Sequence, residues 1–324
     1  LDDVTTHETN MYVSDSSASG NVGTGIRSHG LGSTLYARDS TSSGSREWNG
    51  LNASFGGHMF ATGMNVYDNA RTGASVEGFV HEDSSYFTEN FNPKDGTHQE
   101  LLSSYLYLTD SNIFNNSTGA SVDAHGVDEA KIDEFVGSDY TAPTLIMERV
   151  RIYDNDHHGV NIFGGRVHLS DSEIFNNGFQ PYDDGQFGYD GSTGWAGIQV
   201  VSRSGPEADY YTPTAVVTID NVNIYGNAGS AIRNHGGQVN VTNSNLSGGI
   251  GNGSVVEHLI GWDPINSACI RNGGTLSVDG DDIDPETVVP IDFSQHGCNA
   301  LPEANVNNNS TFPFPTYPAF LSFP

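Results

Sequence analysis

The chain has 324 residues, with 40 Asp and Glu against 12 Lys and Arg, so its formal charge is −28 at neutral pH. Nucleic acid and anionic membrane surfaces both demand clustered cations, and this balance excludes them as partners. No apolar run is long enough to span a bilayer. Gly, Ser, Asn, Asp and Thr abound between regularly recurring aliphatic residues, which is the composition of a turn-rich β protein rather than of a disordered tract.

Strand pattern begins almost at once and no signal peptide precedes it, which suits a processed mature protein or a segment of a longer one. The first complete unit covers 51–66, turns at Gly56-Gly57 and closes on Val66-Tyr67-Asp68-Asn69. That closing phrase, an aliphatic residue, an aromatic one, any residue, then Asn, returns four more times. The copies are Ile113-Phe114-Asn115-Asn116, Ile152-Tyr153-Asp154-Asn155, Ile174-Phe175-Asn176-Asn177 and Ile224-Tyr225-Gly226-Asn227. A strand that always ends in a turn Asn is the signature of a parallel β-solenoid, whose coils bury their inner faces only against one another. Hairpins across the glycine pairs would not require five copies of one phrase. Asn side chains at stacked turns also bond the copies above and below.

The unit at 159–178 shows the grammar most plainly: Val160-Asn161-Ile162-Phe163, a Gly164-Gly165 turn, Val167-His168-Leu169, then Glu173-Ile174-Phe175. Alternation points Val160, Ile162, Val167, Leu169 and Ile174 inward. The glycine pair lets the backbone turn where a Cβ would clash. The same order recurs at 232–241 around Gly236-Gly237 and at 269–278 around Gly273-Gly274. About nine three-strand coils fit between Met11 and Ile283, a rod about 43 Å long at ~4.8 Å per coil.

Insertions interrupt the coils at 80–104, 126–143 and 202–213 after the first strand, and at 179–195 and 250–266 after the third. Such loops line one edge of a solenoid, often its binding face. Their aromatic residues Tyr140, Tyr182, Tyr189, Trp195, Tyr210 and Tyr211 are suited to stacking on sugar rings. Residues 1–300 form one solenoid domain. The Pro- and Phe-rich tail 301–324 cannot continue a sheet and is expected to pack as a cap or on a partner chain. Cys269 and Cys298 lie near the same end, where a disulfide between them would pin the last coil.

Outward residues of stacked first strands form a ladder that includes Arg27, His29, Asn52, Ser54, Glu77, Asp123, His125, Asn161, Gln199, Arg233 and His235. In-register stacking sets Glu77 and Asp123 about 5 Å apart by backbone spacing, with His125 on the same strand as Asp123. Two carboxylates so close cannot both ionise freely, and one pKa should rise, so Glu77, Asp123 and His125 are the acid–base candidates. Asn161, Gln199, Arg233 and His235 are placed to contact sugar hydroxyls or carboxylates. Asp154, Asp156, His157 and His158 bring metal-ligand types to one turn, where Asp and Asn also serve as backbone caps.

The three-strand coils resemble the right-handed parallel β-helix superfamily, which includes pectin-processing enzymes, alginate lyases, mannuronan C5-epimerases, phage tailspikes and autotransporter adhesins. The resemblance covers about residues 10–285 and implies an all-β, right-handed parallel β-helix with loop insertions. Asp123-Ala124-His125 resembles the Asp-Pro-His motif of the mannuronan epimerases, and Asn155-Asp156-His157-His158-Gly159 resembles their later Asn-Asp-Arg-His-Gly. The family's Tyr falls here on Ala120 and its Arg on His157. Gly236-Gly237-Gln238-Val239-Asn240-Val241 is more similar to adhesin passengers.

Two functional expectations follow. The first is an extracellular β-helix that binds and processes a polysaccharide or cell-surface glycan, as lyase, epimerase or hydrolase. Ca²⁺ is the ion expected to bridge an anionic polymer to so acidic a surface. The second is a non-enzymatic surface adhesin or filament subunit whose solenoid ends pair with further copies. Asn-x-Ser/Thr triplets such as Asn240-Val241-Thr242 favour an extracellular setting for both.

Overall fold

The structure is a computed structural model, and its described residues are 9–30, 32–79, 104–125, 143–179, 195–201, 215–250, 255–263, 268–270, 275–284 and 286–287. Tyr140, Tyr182, Tyr189, Tyr210, Tyr211, Cys298 and the tail 301–324 lie outside them.

Three sheets run the length of the molecule, and their neighbours are strands from successive coils. The first sheet runs from Thr9–Ser14 to Thr275–Val278, where the two-residue strand Asp281–Asp282 turns back antiparallel. The second runs from Ser17–Ser19 to Asn245–Leu246, and the third from Ile26–His29 to Val256–Asp263. Every rung-to-rung pairing within these limits is parallel, as in Tyr105↔Thr144 and Ile113↔Ile152. This is the parallel β-solenoid of three sheets expected from the repeated phrase, and it is consistent with the right-handed parallel β-helix that the family resemblance implies. Among the described residues no helix is long and apolar enough to cross a membrane.

The core is a set of columns. Val66, Ile113, Ile152, Ile174 and Ile224 stand above one another in the second sheet, each with no exposed surface. Leu35, Met59, Leu106 and Leu145 do the same in the first, and Val160, Ile162, Val167, Leu169 and Ile174 are all buried as the alternation required. Each such aliphatic side chain contributes about 1.5–3 kcal/mol of burial. At the N-terminal end Met11 occupies the same column as Leu35 and yet is 56% exposed.

The repeated phrase proves to be two ladders and a turn. Its aromatic position forms a continuous stack, Tyr67, Phe114, Tyr153, Phe175 and Tyr225, with ring centroids 5.0–5.1 Å apart and planes nearly parallel. Its third position carries Asp68, Asn115, Asp154, Asn176 and Gly226, all with positive φ. That position is therefore selective, because Asp, Asn and Gly are the residues that tolerate the left-handed region best. Its final Asn forms a buried amide ladder, in which Nδ2 donates to the next Oδ1 from Asn69 to Asn116, Asn155, Asn177 and Asn227 at 2.8–3.1 Å. Each accepting Oδ1 also takes a backbone N–H from the coil before it. Beside the ladder, Gly159 admits no side chain, since a Cβ there would meet Ile174 Cγ2 at 2.6 Å and the Gly197 carbonyl oxygen at 2.7 Å.

One stretch departs from the sequence expectation. Residues 250–266 look like an insertion, but Val256, Glu257 and His258 pair in register with Ile232, Arg233 and Asn234 and so supply a rung of the third sheet. Ala268–Ile270, expected to open the next coil, instead folds back antiparallel on residues 261–263. The glycine-pair rule fails here because Val256–Asp263 shows no clean alternation to mark it as a strand.

Candidate functional site

The outer face of the third sheet carries two polar columns. Register places Arg27, Asn52, Ser75, Ser121, Asn161, Gln199, Arg233 and Glu257 in one. The other holds His29, Ser54, Glu77, Asp123, Phe163, Val201 and His235. Glu77 and Asp123 are direct cross-strand partners on Thr72–Phe79 and Thr118–His125, each an eight-residue strand. Both side chains are half-buried. Two residues further on, the backbone of His125 pairs with Phe79.

Glu77 is embedded in a fixed network. Its Oε1 accepts from Asn52 Nδ2 at 3.0 Å and from Asn49 Nδ2 at 3.3 Å, and the same two amides donate to Ser75 Oγ at 2.8 and 2.7 Å. One rung toward the N-terminus, Ser54 Oγ accepts from Arg27 at 3.0 and 3.2 Å and lies 3.0 Å from His29 Nδ1. Arg27 and His29 are exposed, so this end of the face offers a cation beside the carboxylates. The His29 pKa is lowered, first by burial and then by Arg27.

Asn161 and Gln199 are half-buried one column away from Asp123, because Asn161 pairs with Ser121 and it is Phe163 that faces Asp123. The two-residue offset arises because the strand carrying Asp123 starts well before it. Arg233 and His235 depart further from the expectation of open sugar contacts, since both are buried at 4% exposure. Arg233 Nε lies 2.6 Å from Glu257 Oε2 in an ion pair whose side chains are 4% and 14% exposed. Its charge is thus already matched inside the protein.

The turn 154–158 does not assemble a metal site. Asp154 and Asp156 are exposed, His157 is half-buried with Nδ1 3.2 Å from Ser117 Oγ, and His158 is buried with Nδ1 3.2 Å from the Ala196 carbonyl oxygen. Among the described residues no group of three His, Cys, Asp or Glu side chains is disposed to hold a metal ion. Asp154 serves the turn, with φ 53°. Trp195, half-buried, packs on His157 at 4.6 Å and edge-on to His158 at 4.8 Å.

His158 has a thermodynamic consequence. Burial holds its pKa well below 6.5, and Arg233, His157 and His235 push the same way against the Ala196 carbonyl. A base whose folded pKa is depressed takes up its proton more readily when unfolded. The stability it confers is full above pH 6.5 and is lost as pH falls below that value. Stability should therefore fall as pH drops below about 6.5, by up to ~1.4 kcal/mol per pH unit for one proton. His158→Phe should flatten that limb in urea unfolding, and an unchanged slope would assign the acid sensitivity elsewhere.

Asn49 and Ser75 escaped sequence reasoning. Ser75 lies two residues before Glu77 on the same strand and so on the same face, a signal the alternation already contained. Asn49 lies at the bend before Leu51–Ser54, where no periodicity applies.

No family model matches the chain, and no curated protein matches it in sequence. Among solved structures it is similar to the periplasmic alginate epimerase AlgG, at 12% identity over 69% of this chain and 42% of that one, with a TM-score of 0.47. A point mutant of the same epimerase gives the same values. PfbA, a surface adhesin of Streptococcus pneumoniae, is similar at 10% identity over 68% of this chain and 62% of that one, with a TM-score of 0.19. The chain thus spans less than half the length of the epimerase, and a reading of function rests on its own residues.

Proposed function

We propose that the protein is an extracellular glycan-processing β-helix in which Glu77 and Asp123 share acid and base roles on a polysaccharide laid across the third sheet. The observation that carries this reading is their direct pairing on adjacent rungs of an outward polar face. Carboxylates on adjacent rungs resist joint ionisation, so one of the pair can deliver a proton while the other takes one. Arg27, exposed on the same face, gives a sugar carboxylate a cation to meet, while Asn161 and Gln199 offer amides to hydroxyl groups.

The test is turnover on polyuronates and neutral glycans, followed by reducing ends, unsaturated uronate absorbance and ring configuration by proton NMR. Asp123→Asn should reduce product formation by about 100-fold or more, the usual share of a positioned acid or base. Its unfolding midpoint should stay close to that of the parent. Turnover that persists in Asp123→Asn, or no turnover on any polymer by the parent protein, would remove the reading.

A further inference from the structure

Asn52 holds an arrangement that packing alone does not explain. It is 2% exposed, and its Oδ1 is buried with no hydrogen-bond partner, an uncompensated cost in any folded chain. Turning the amide over would direct Oδ1 at the Glu77 carboxylate, so the orphaned carbonyl is the consequence of aiming both N–H groups at Ser75 Oγ and Glu77 Oε1. Asn49 repeats the geometry from the bend before the strand, and there the other end of the amide is satisfied, because Asn49 Oδ1 accepts the Thr72 backbone N–H at 3.2 Å. Ser75 Oγ, accepting from both amides, passes its own proton toward the Leu51 carbonyl at 3.4 Å. Both amides thus converge on one carboxylate oxygen and on the hydroxyl beneath it.

We infer that Asn49 and Asn52 are positioning residues that hold the negative charge of the carboxylate pair on Glu77, leaving the shared proton to Asp123. Hydrogen bonds from amide N–H groups favour the ionised form of the acceptor. They are stronger for a charged partner than for a neutral one. Among the described residues, the charged and titratable groups nearest Glu77 along the face include Asp123 on the next strand and, beyond Ser54 on the other side, Arg27 and His29, with Arg27 adding to the preference for an anion. Given the function proposed above, on which the chemical roles rest, Glu77 is the base and Asp123 the acid.

Carbon-13 NMR titration of the Glu77 and Asp123 carboxyl carbons tests the assignment without any substrate. In the parent protein Glu77 should titrate below Asp123. Asn52→Leu, which keeps the volume and removes both donors, should raise the Glu77 midpoint by about one pH unit or more. Asn49→Leu should raise it less, from a longer contact, and stands in should Asn52→Leu fail to fold. An Asp123 midpoint below that of Glu77 in the parent, or a Glu77 midpoint unmoved in the folded variant, overturns the inference. The expected midpoints in a protein that turns over no glycan would uphold the charge assignment and refute the catalytic reading. In an active protein, the acid limb of the pH–rate profile should move with the Glu77 midpoint in Asn52→Leu.

Discussion

Asn155→Leu should destabilise the protein by about 3–5 kcal/mol, a large part of the total stability of an ordinary domain. Asn155 Oδ1 accepts both the backbone N–H and the Nδ2 of Asn116, and its own Nδ2 donates to Asn177 Oδ1 at 2.8 Å and to the Tyr153 carbonyl at 3.1 Å. All three asparagines are at most 2% exposed. Leucine fills the space and satisfies none of these groups, so the buried Asn116 backbone N–H loses its acceptor at about 1–3 kcal/mol. The bonds to Asn177 Oδ1 and the Tyr153 carbonyl, and the one from Asn116 Nδ2, which keeps the Phe114 and Val66 carbonyls, are lost at about 0.5–1.5 kcal/mol each. The amides also polarise one another along the stack, so the middle of the ladder is where removal costs most. Asn112→Ala provides the contrast. Its amide bonds Asn65 on the outer surface at 3.2 Å, and that loss should stay within about 0.5 kcal/mol. Urea unfolding of both variants measures the difference, and a loss below about 1 kcal/mol for Asn155→Leu would show that the buried ladder is energetically idle.

The same phrase explains why the fold is legible in the sequence. Parallel in-register stacking forces identical positions together, so every demand of the coil is printed at a fixed offset: Ile for the column, an aromatic ring for the stack, Asp, Asn or Gly for the left-handed turn, Asn for the ladder. Repetition converts weak local propensity into a strong signal. The rung at Val256–Asp263 was hidden because it follows residues 247–250 without the phrase and turns into an antiparallel pair, so no offset marks it.

The site was legible only in part, for a physical reason. Pairing between rungs is a backbone property, and the aliphatic column Ala74, Ala120, Val160 fixes it, so the adjacency of Glu77 and Asp123 follows from alternation. Burial of an outward side chain depends on whatever lies over the sheet, which alternation along the strand does not encode. Arg27 and Arg233 occupy the same column, one exposed and the other almost wholly buried. The roles of Asn49 and Asn52 depend on amide orientation, a feature set by partners in neighbouring coils rather than by the strand itself.

Arg233 supplies the second large effect, and it separates a structural cation from a substrate-binding one. Arg233→Met leaves the Glu257 carboxylate, 14% exposed, without the guanidinium 2.6 Å away. Breaking a buried pair from one side costs about 3–5 kcal/mol, because the remaining charge keeps its desolvation penalty and loses its counter-charge. Replacing both partners, in Arg233→Met with Glu257→Leu, removes the stranded charge and should recover most of the loss. Chemical denaturation of the two single variants and the double variant closes a thermodynamic cycle, with a coupling of several kcal/mol expected. If Arg233 instead served a glycan carboxylate, Arg233→Met would unfold at nearly the parent midpoint and lose affinity for the polymer alone. The column would then bind its ligand at Gln199 and Arg233, two and three rungs past Ser121, rather than at the Arg27 end. The ion pair argues for the opposite polarity, in which Arg233 is taken up by Glu257 and, among the described residues, the exposed cation of the column is Arg27, one rung from Ser54 and two from Glu77, where the proposed function would place a sugar acid.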